Sequence, residues 1–256
     1  MVLHSFRFDG VENFRDFGGL PTRDGTWIAS GRLFRSAHLA AATSADAAQL
    51  DDLGVKVLVD LRAREERARA PNRWTPTRTL VRDPDPGAGP PTPAPNHGGP
   101  YTEETARAVM RSMYSRIPTD PRFMALCADI FHALAETGGP VIIHCSVGKD
   151  RTGIACAVLL ASLGVDRAAI EADYLATNAA LDRAERARLV RADLEPLHGP
   201  LGDAQIEPLI GVEANFLDVS FDAIAQRFGS LDAYVERALG VPAPVQARMR
   251  AALRAP

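Results

Sequence analysis

The chain has 256 residues, enough to bury a full hydrophobic core in one large domain or two small ones. Hydrophobic residues make up 46% and charged ones 24%, ordinary for a globular protein, and a net charge of −3 gives no footing for nucleic-acid binding. The three cysteines, Cys127, Cys145 and Cys156, exclude a disulfide scaffold, and none has metal-site spacing with histidines, so no structural zinc is expected.

The elements follow in chain order. Residues 1–10 carry charge and lack the apolar core of a signal peptide. Residues 20–28 read as a hairpin with Asp24-Gly25 at its turn. Residues 33–36 read as a short strand, and Thr43 or Ser44 caps a helix that ends near Gly54. Residues 55–61 form an apolar strand of the buried, parallel kind, and 77–82 another, with a charged helical turn at 64–70 between them. Residues 83–100 are rich in Pro and Gly and read as a long irregular loop. A helix covers 102–116, and a second opens at Asp120-Pro121 and closes at Gly138-Gly139. A buried strand at 140–144 is followed by an apolar helix at 151–163 that is too short to span a bilayer. Helices are expected at about 167–178, 181–194, 213–228, 231–239 and 245–254. The fold class is therefore α/β: a central, mostly parallel sheet flanked by helices, with a helical C-terminal part. The whole chain, 1–256, reads as a single domain with a helical lid at about 167–213. The expected location is cytoplasmic, or secreted without a classical signal peptide, with no integral membrane segment.

Chemistry concentrates in Val141-Ile142-Ile143-His144-Cys145-Ser146-Val147-Gly148-Lys149-Asp150-Arg151-Thr152-Gly153, a strand, a tight loop and a helix start. Successive backbone N–H groups in such a loop make a concave anion site, and the free N–H groups of the helix N-terminus extend it. Gly148 allows the sharp turn. Arg151 carries a planar fork suited to phosphate oxygens. A cation at a helix N-terminus is electrostatically poor, so an anion must compensate it. The same field favours the thiolate of Cys145, the nucleophilic form of cysteine. Cys145 is thus the candidate nucleophile, with Ser146, Val147, Gly148, Lys149 and Thr152 as substrate-binding candidates. Thr152 is placed to donate a hydrogen bond to the leaving thiolate. A leaving alkoxide or phenoxide needs an acid. Asp150 lies in the loop, while Asp83 and Asp85 lie after a strand in a segment suited to closing. No metal or other cofactor is needed for this chemistry.

The string His144-Cys145-(x5)-Arg151-Thr152-Gly153 resembles the signature of protein tyrosine phosphatases. With Gly148-Lys149-Asp150, it resembles the bacterial and fungal branch that includes a secreted mycobacterial tyrosine/lipid phosphatase. Asn13-Phe14-Arg15-Asp16-Phe17-Gly18-Gly19, Arg35-Ser36-Ala37, Asp60-Leu61-Arg62, Asp173-Tyr174-Leu175 and Phe228-Gly229-Ser230-Leu231 fit the same branch, so the resemblance covers nearly the whole chain. It implies a phosphatase-like fold with a helical lid, and substrates that are phosphorylated proteins or phosphoinositides. It also implies Asp150 as the acid, Lys149 as a lysine associated with phosphoinositide substrates, and Asp60 beside the phosphate pocket. Asp83-Pro84-Asp85-Pro86 does not match the Trp-Pro-Asp acid loop of the other tyrosine phosphatases, which favours Asp150 over Asp83.

Blander readings compete at several positions. Cys127 and Cys156 lie on apolar helices and read as core thiols. His144, on a buried strand, reads as an orienting residue. Asp60 and Arg62 also read as a structural pair at a strand end, and Asn13 to Gly19 as a structural turn. Two other functions use similar parts: sulfur transfer by a rhodanese-like cysteine loop, and phosphate recognition without turnover. The run from Lys149 to Gly153 speaks against the first, and the joint presence of Cys145, Asp150 and Arg151 against the second.

Overall fold

The computed structural model describes residues 6–83 and 101–255. Its centre is a five-stranded sheet in the order β1-β2-β5-β3-β4, formed by β1 (Arg15–Asp16), β2 (Leu33–Ser36), β3 (Val57–Asp60), β4 (Arg78–Leu80) and β5 (Val141–His144). β1 runs antiparallel to β2; the other neighbours are parallel. The strands are short apolar runs because both faces of the sheet are covered. Leu33, Val57, Val59, Val141 and Ile143 enter the larger core, and Phe34, Leu58 and Ile142, one residue out of step, enter a smaller one with Val11, Leu50 and Trp74. This period-two alternation sends Cys145 to the larger-core face.

The helices are α1 (Ser44–Asp52), α2 (Arg64–Arg69), α3 (Glu103–Arg116), α4 (Pro121–Thr137), α5 (Asp150–Ser162), α6 (Arg167–Leu175), α7 (Thr177–Ala180), α8 (Arg183–His198), α9 (Asp203–Ile210), α10 (Ala214–Phe228), α11 (Leu231–Ala233) and α12 (Ala243–Leu253). Their ends obey local chemistry. Thr43 and Asp46 form a capping box on α1. Asp120 accepts from the Phe123 N–H at the start of α4, with Pro121 at the first position, and Gly138 closes that helix at φ +66°. α5 is buried almost throughout and packs on the sheet and α6. No helix among the described residues is long and apolar enough to cross a membrane.

The hairpin at 20–28 does form, with Pro21 bridged to Trp27, the Ile28 N–H donating to Leu20 and the Thr22 N–H to Thr26, and its arms also bridge Thr22 to Val165 and Ile28 to Arg254. Several expectations are corrected. β1 forms inside the string read as a turn. The helix expected at 167–178 breaks into α6 and α7. α8 runs to His198, past Pro196, and α9 forms despite Pro208. The last turn of the 231–239 segment, Tyr234–Ala238, is π-helical. The long loop at 83–100 lies outside the described residues except for Asp83, and Asp85 lies outside them too.

Candidate active site

Three parallel strands end at one edge. Ser36, His144 and Asp60 are in register there, and the chain leaves β5 through Cys145 to enter α5. Sites form at such carboxyl edges because the following loops and helix N-termini converge on them.

The loop from Cys145 to Lys149 is held from outside. The His144 ring, through Nδ1, meets the Cys145 carbonyl at 3.2 Å, and the His38 N–H donates to the Ser146 carbonyl at 3.3 Å. Asn13 Nδ2 donates to the carbonyls of Val147 (3.1 Å) and Gly148 (2.9 Å), and Arg35 Nη2 donates to Gly148 as well (2.9 Å). With these carbonyls turned outward, the N–H groups of Ser146, Val147, Gly148 and Lys149 have no acceptor among the described residues. Uncommitted N–H groups leading into a 13-residue helix form an anion-binding nest. Gly148 sits at φ +72°, and a Cβ there would lie 2.3 Å from the Ser36 carbonyl oxygen.

Cys145 is 3% exposed at the floor of this loop. Thr152 is fully buried, and its Oγ1 has no hydrogen-bond partner among the described residues. Arg151 meets Glu66 in a two-pronged pair, Nη1 to Oε2 at 2.6 Å and Nη2 to Oε1 at 2.8 Å. Glu66 also accepts from Ser146 Oγ (2.5 Å) and from the Ala63 N–H (2.7 Å), which fastens α2 to the loop. The anion that Arg151 requires at the helix N-terminus is thus supplied within the chain, a correction to the argument that left it to a ligand alone. Burial works against ionisation of Glu66, but the Arg151 hydrogen bonds and charge outweigh it and bring the carboxyl down to about 2. Sequence reading missed Glu66. Its signal was an acidic residue in the first turn of a helix after a strand end, a signal that Glu65 shares.

Asp150 opens α5 with its side chain 20% exposed. Its Oδ1 accepts from Tyr114 Oη (2.7 Å) and Lys149 Nζ (2.8 Å). Lys149 is 5% exposed and also donates to the Gly211 carbonyl (3.2 Å). Asp83 pairs with Arg67 and is exposed.

Asp60 is committed to the frame. Its Oδ1 accepts from the Arg62 N–H and Nε, and its Oδ2 from Arg62 Nη2 (2.7 Å) and Asn72 Nδ2 (3.2 Å). Asn72 Nδ2 also reaches His144 Nε2 at 3.3 Å. A donor at Nε2 and a carbonyl at Nδ1 select the neutral His144 tautomer with its proton on Nδ1. Burial lowers His144 to about 4, against the opposing pull of Asp60.

Behind the loop, the β1–β2 register sets Arg15 opposite Arg35, a costly pairing of like charges. Asp173 of α6 resolves it, accepting from Arg15 Nε (2.9 Å) and Arg35 Nη1 (2.5 Å). Arg35 is fully buried, so it serves the loop and not the solvent side. Cys127 and Cys156 are buried in the larger core, and burial pushes the Cys156 thiol up to about 12.

Residues 6–255 match the model of the tyrosine phosphatase family. The chain belongs to that family. It is 33% identical over 245 residues to a candidate tyrosine-protein phosphatase of Cupriavidus necator, a match covering 93% of this chain and 85% of the relative. It is 31% identical over 279 residues to the triple specificity protein phosphatase PtpB of Mycobacterium tuberculosis, covering 95% and 97%. The protein is accordingly a phosphatase, a hydrolase acting on phosphorylated substrates.

Proposed function

We propose that the phosphatase hydrolyses phosphotyrosine in proteins through a cysteinyl-phosphate intermediate. The observation that carries this reading is the loop at the head of α5, whose carbonyls are all turned outward while its N–H groups stay uncommitted above Cys145.

The phosphoryl group sits in the nest formed by Ser146, Val147, Gly148 and Lys149, with Arg151 held beside it by Glu66. The Cys145 thiolate attacks phosphorus as the bond to the ester oxygen breaks, and Asp150 gives that oxygen a proton. Preorganised N–H dipoles stabilise the charge spread over the phosphoryl oxygens in the transition state. Water then attacks phosphorus, Asp150 takes its proton, and Thr152 Oγ1, which has no other partner among the described residues, donates to the departing thiolate. Asp60 acts one step back, by fixing Arg62, Asn72 and through them His144. The segment 167–213 acts as a lid in its later part, α8 and α9; Ile170 and Tyr174 of α6 are buried in the main core.

The M. tuberculosis relative's name, triple specificity protein phosphatase, supports a range wider than phosphotyrosine, and the resemblance of the loop with its lysine extends the proposal to phosphoserine, phosphothreonine and phosphoinositides. Phosphoinositide contact through Lys149 requires its ammonium to leave Asp150 and Gly211, so phosphotyrosine ranks first. Phosphate release from a phosphotyrosine peptide, wild type beside Cys145→Ser in the presence of chelator, tests the reading. Turnover by the wild type alone is expected. Equal turnover by both, or none by either on any phosphorylated substrate, overturns it.

A further inference from the structure

Two buried tyrosines have no place in the mechanism above. Tyr114 of α3 and Tyr174 of α6 lie on different helices, are 0% and 1% exposed, and meet through their hydroxyls at 2.7 Å. Tyr174 donates to Tyr114, and Tyr114 donates to Asp150 Oδ1 at 2.7 Å. Burial raises both phenols, so they remain neutral donors. A buried hydroxyl left without a partner is costly, and here the two are joined in a relay that ends on one carboxylate oxygen.

The rings that carry these hydroxyls are fixed by packing. Tyr114 packs on Phe216 with ring centroids 5.4 Å apart, and on Tyr174 edge-on at 6.4 Å. Tyr174 lies so close to α5 that a Cβ on Gly153 would fall 2.8 Å from its ring. The glycine that ends the signature therefore admits the tyrosine. Its neighbour Asp173 holds the two arginines behind the loop, so one turn of α6 supports the loop brace directly and the acid through Tyr114.

We propose that Tyr114, itself oriented by Tyr174, is the positioning residue for the acid Asp150. The inference rests on the acid role given to Asp150 above. Tyr114 and Lys149 both bind Oδ1, and no donor among the described residues reaches Oδ2, so Oδ2 is the oxygen left open to hand a proton to the ester oxygen. In the first step this proton passes to the ester oxygen as the sulfur–phosphorus bond forms and the phosphorus–oxygen bond breaks. Tyr114 then stabilises the carboxylate left behind. In the second step the same carboxylate takes a proton from the attacking water as the sulfur–phosphorus bond breaks. The ionisable groups facing Asp150 are Lys149 and Arg151 beside it in the chain, Tyr114 from α3 and Tyr174 from α6.

The test is kcat/KM against pH for wild type, Tyr114→Phe, Tyr174→Phe and Asp150→Asn, on phenyl phosphate and on p-nitrophenyl phosphate, whose leaving group needs little help from an acid. Tyr114→Phe is expected to lose about tenfold on phenyl phosphate, the size of a hydrogen bond to a charged group, and to change little on p-nitrophenyl phosphate. Its alkaline limb moves to higher pH. Tyr174→Phe, which keeps both rings and the Asp150 contact, moves the same way by less and serves if Tyr114→Phe does not fold. Asp150→Asn loses the alkaline limb altogether. If Asp150→Asn behaves so while Tyr114→Phe and Tyr174→Phe lower both substrates equally, or neither, with the limb unmoved, the inference is overturned and the acid stands. If Asp150→Asn keeps the limb and the wild-type substrate ratio, the acid role itself fails, and the inference with it.

Discussion

Gly148 carries two demands that no other residue type meets: a backbone at φ +72° and a closest approach to Ser36 that leaves no room for a Cβ. Gly148→Ala is expected to lower kcat/KM by more than an order of magnitude while the protein still folds, since the strain is local and costs roughly 1–3 kcal/mol. Steady-state kinetics beside a thermal melt separate the two; an Ala variant of wild-type activity would remove the loop geometry from the account. Glu66 makes a different kind of contribution. Glu66→Gln keeps the shape of the carboxylate but not its charge, so Arg151 loses its charge-assisted pair. Activity is expected to fall roughly tenfold to a hundredfold. The pair also bears on acid tolerance. The Glu66 carboxyl, ordinarily near 4.5, is held at about 2, so its stabilisation is present above 4.5 and is lost as pH falls towards 2. Chemical unfolding across that range should show a shallower acid loss in Glu66→Gln, and an unchanged profile would count against the pair.

At the scale of elements, the two-residue strand β1 and helix α6 act as a brace. β1 brings Arg15 opposite Arg35, Asp173 balances them, and Asn13, at φ +56° just before the strand, reaches the loop carbonyls. Burial opposes ionisation of Asp173, yet Arg35 and Arg15 together lower its pKa; Arg15, crowded by burial and by Arg35, falls to about 10 and stays charged at neutral pH. Asp173→Asn leaves the buried Arg35 guanidinium facing the half-buried Arg15 with no anion between them and is expected to cost on the order of 3–5 kcal/mol in denaturant unfolding. A loss under 1 kcal/mol would show that the brace carries little. The elements also mark what a sequence reveals. β3, β5 and α5 were legible because continuous apolar runs meet punctuation by Gly and Pro. β1 was not, because a two-residue strand has no periodicity to detect. The helix expected at 181–194 runs on to His198 and α9 was not expected at all; each carries an internal proline, Pro196 and Pro208, whose low helix propensity is overridden here. Cys145, Arg151 and the loop between them could be read directly, since their spacing is local. Glu66, Asn13 and Tyr114 could not be placed at the site, being 79, 132 and 31 residues from Cys145 along the chain by their positions.

Across the whole molecule, the sheet's two faces divide the labour. The larger-core face carries Cys145, α5 and the arginine brace, and the smaller one carries His144 with Asp60, Asn72 and Arg62. His144 must stay neutral to receive Asn72 at Nε2 and to donate to the Cys145 carbonyl. Its value, ordinarily near 6.5, is lowered to about 4, so the folded state binds this proton less readily than the unfolded chain. Stability from this source is complete above 6.5 and is lost as pH falls towards 4, by about 3 kcal/mol in all. Denaturant unfolding between these values should show the slope in wild type and its loss in His144→Gln; the same slope in both would place the titrating group elsewhere.

In the proposed mechanism, phosphate passes through Cys145. The measurement that tests it most directly is acid quenching during turnover of a radiolabelled phosphotyrosine peptide, followed by peptide mapping of the label. Label is expected on the peptide containing Cys145, none in Cys145→Ser, and more in a variant slowed at the hydrolysis step, Thr152→Val. Turnover of the wild type with no label on Cys145, or label on another residue that survives in Cys145→Ser, would contradict it.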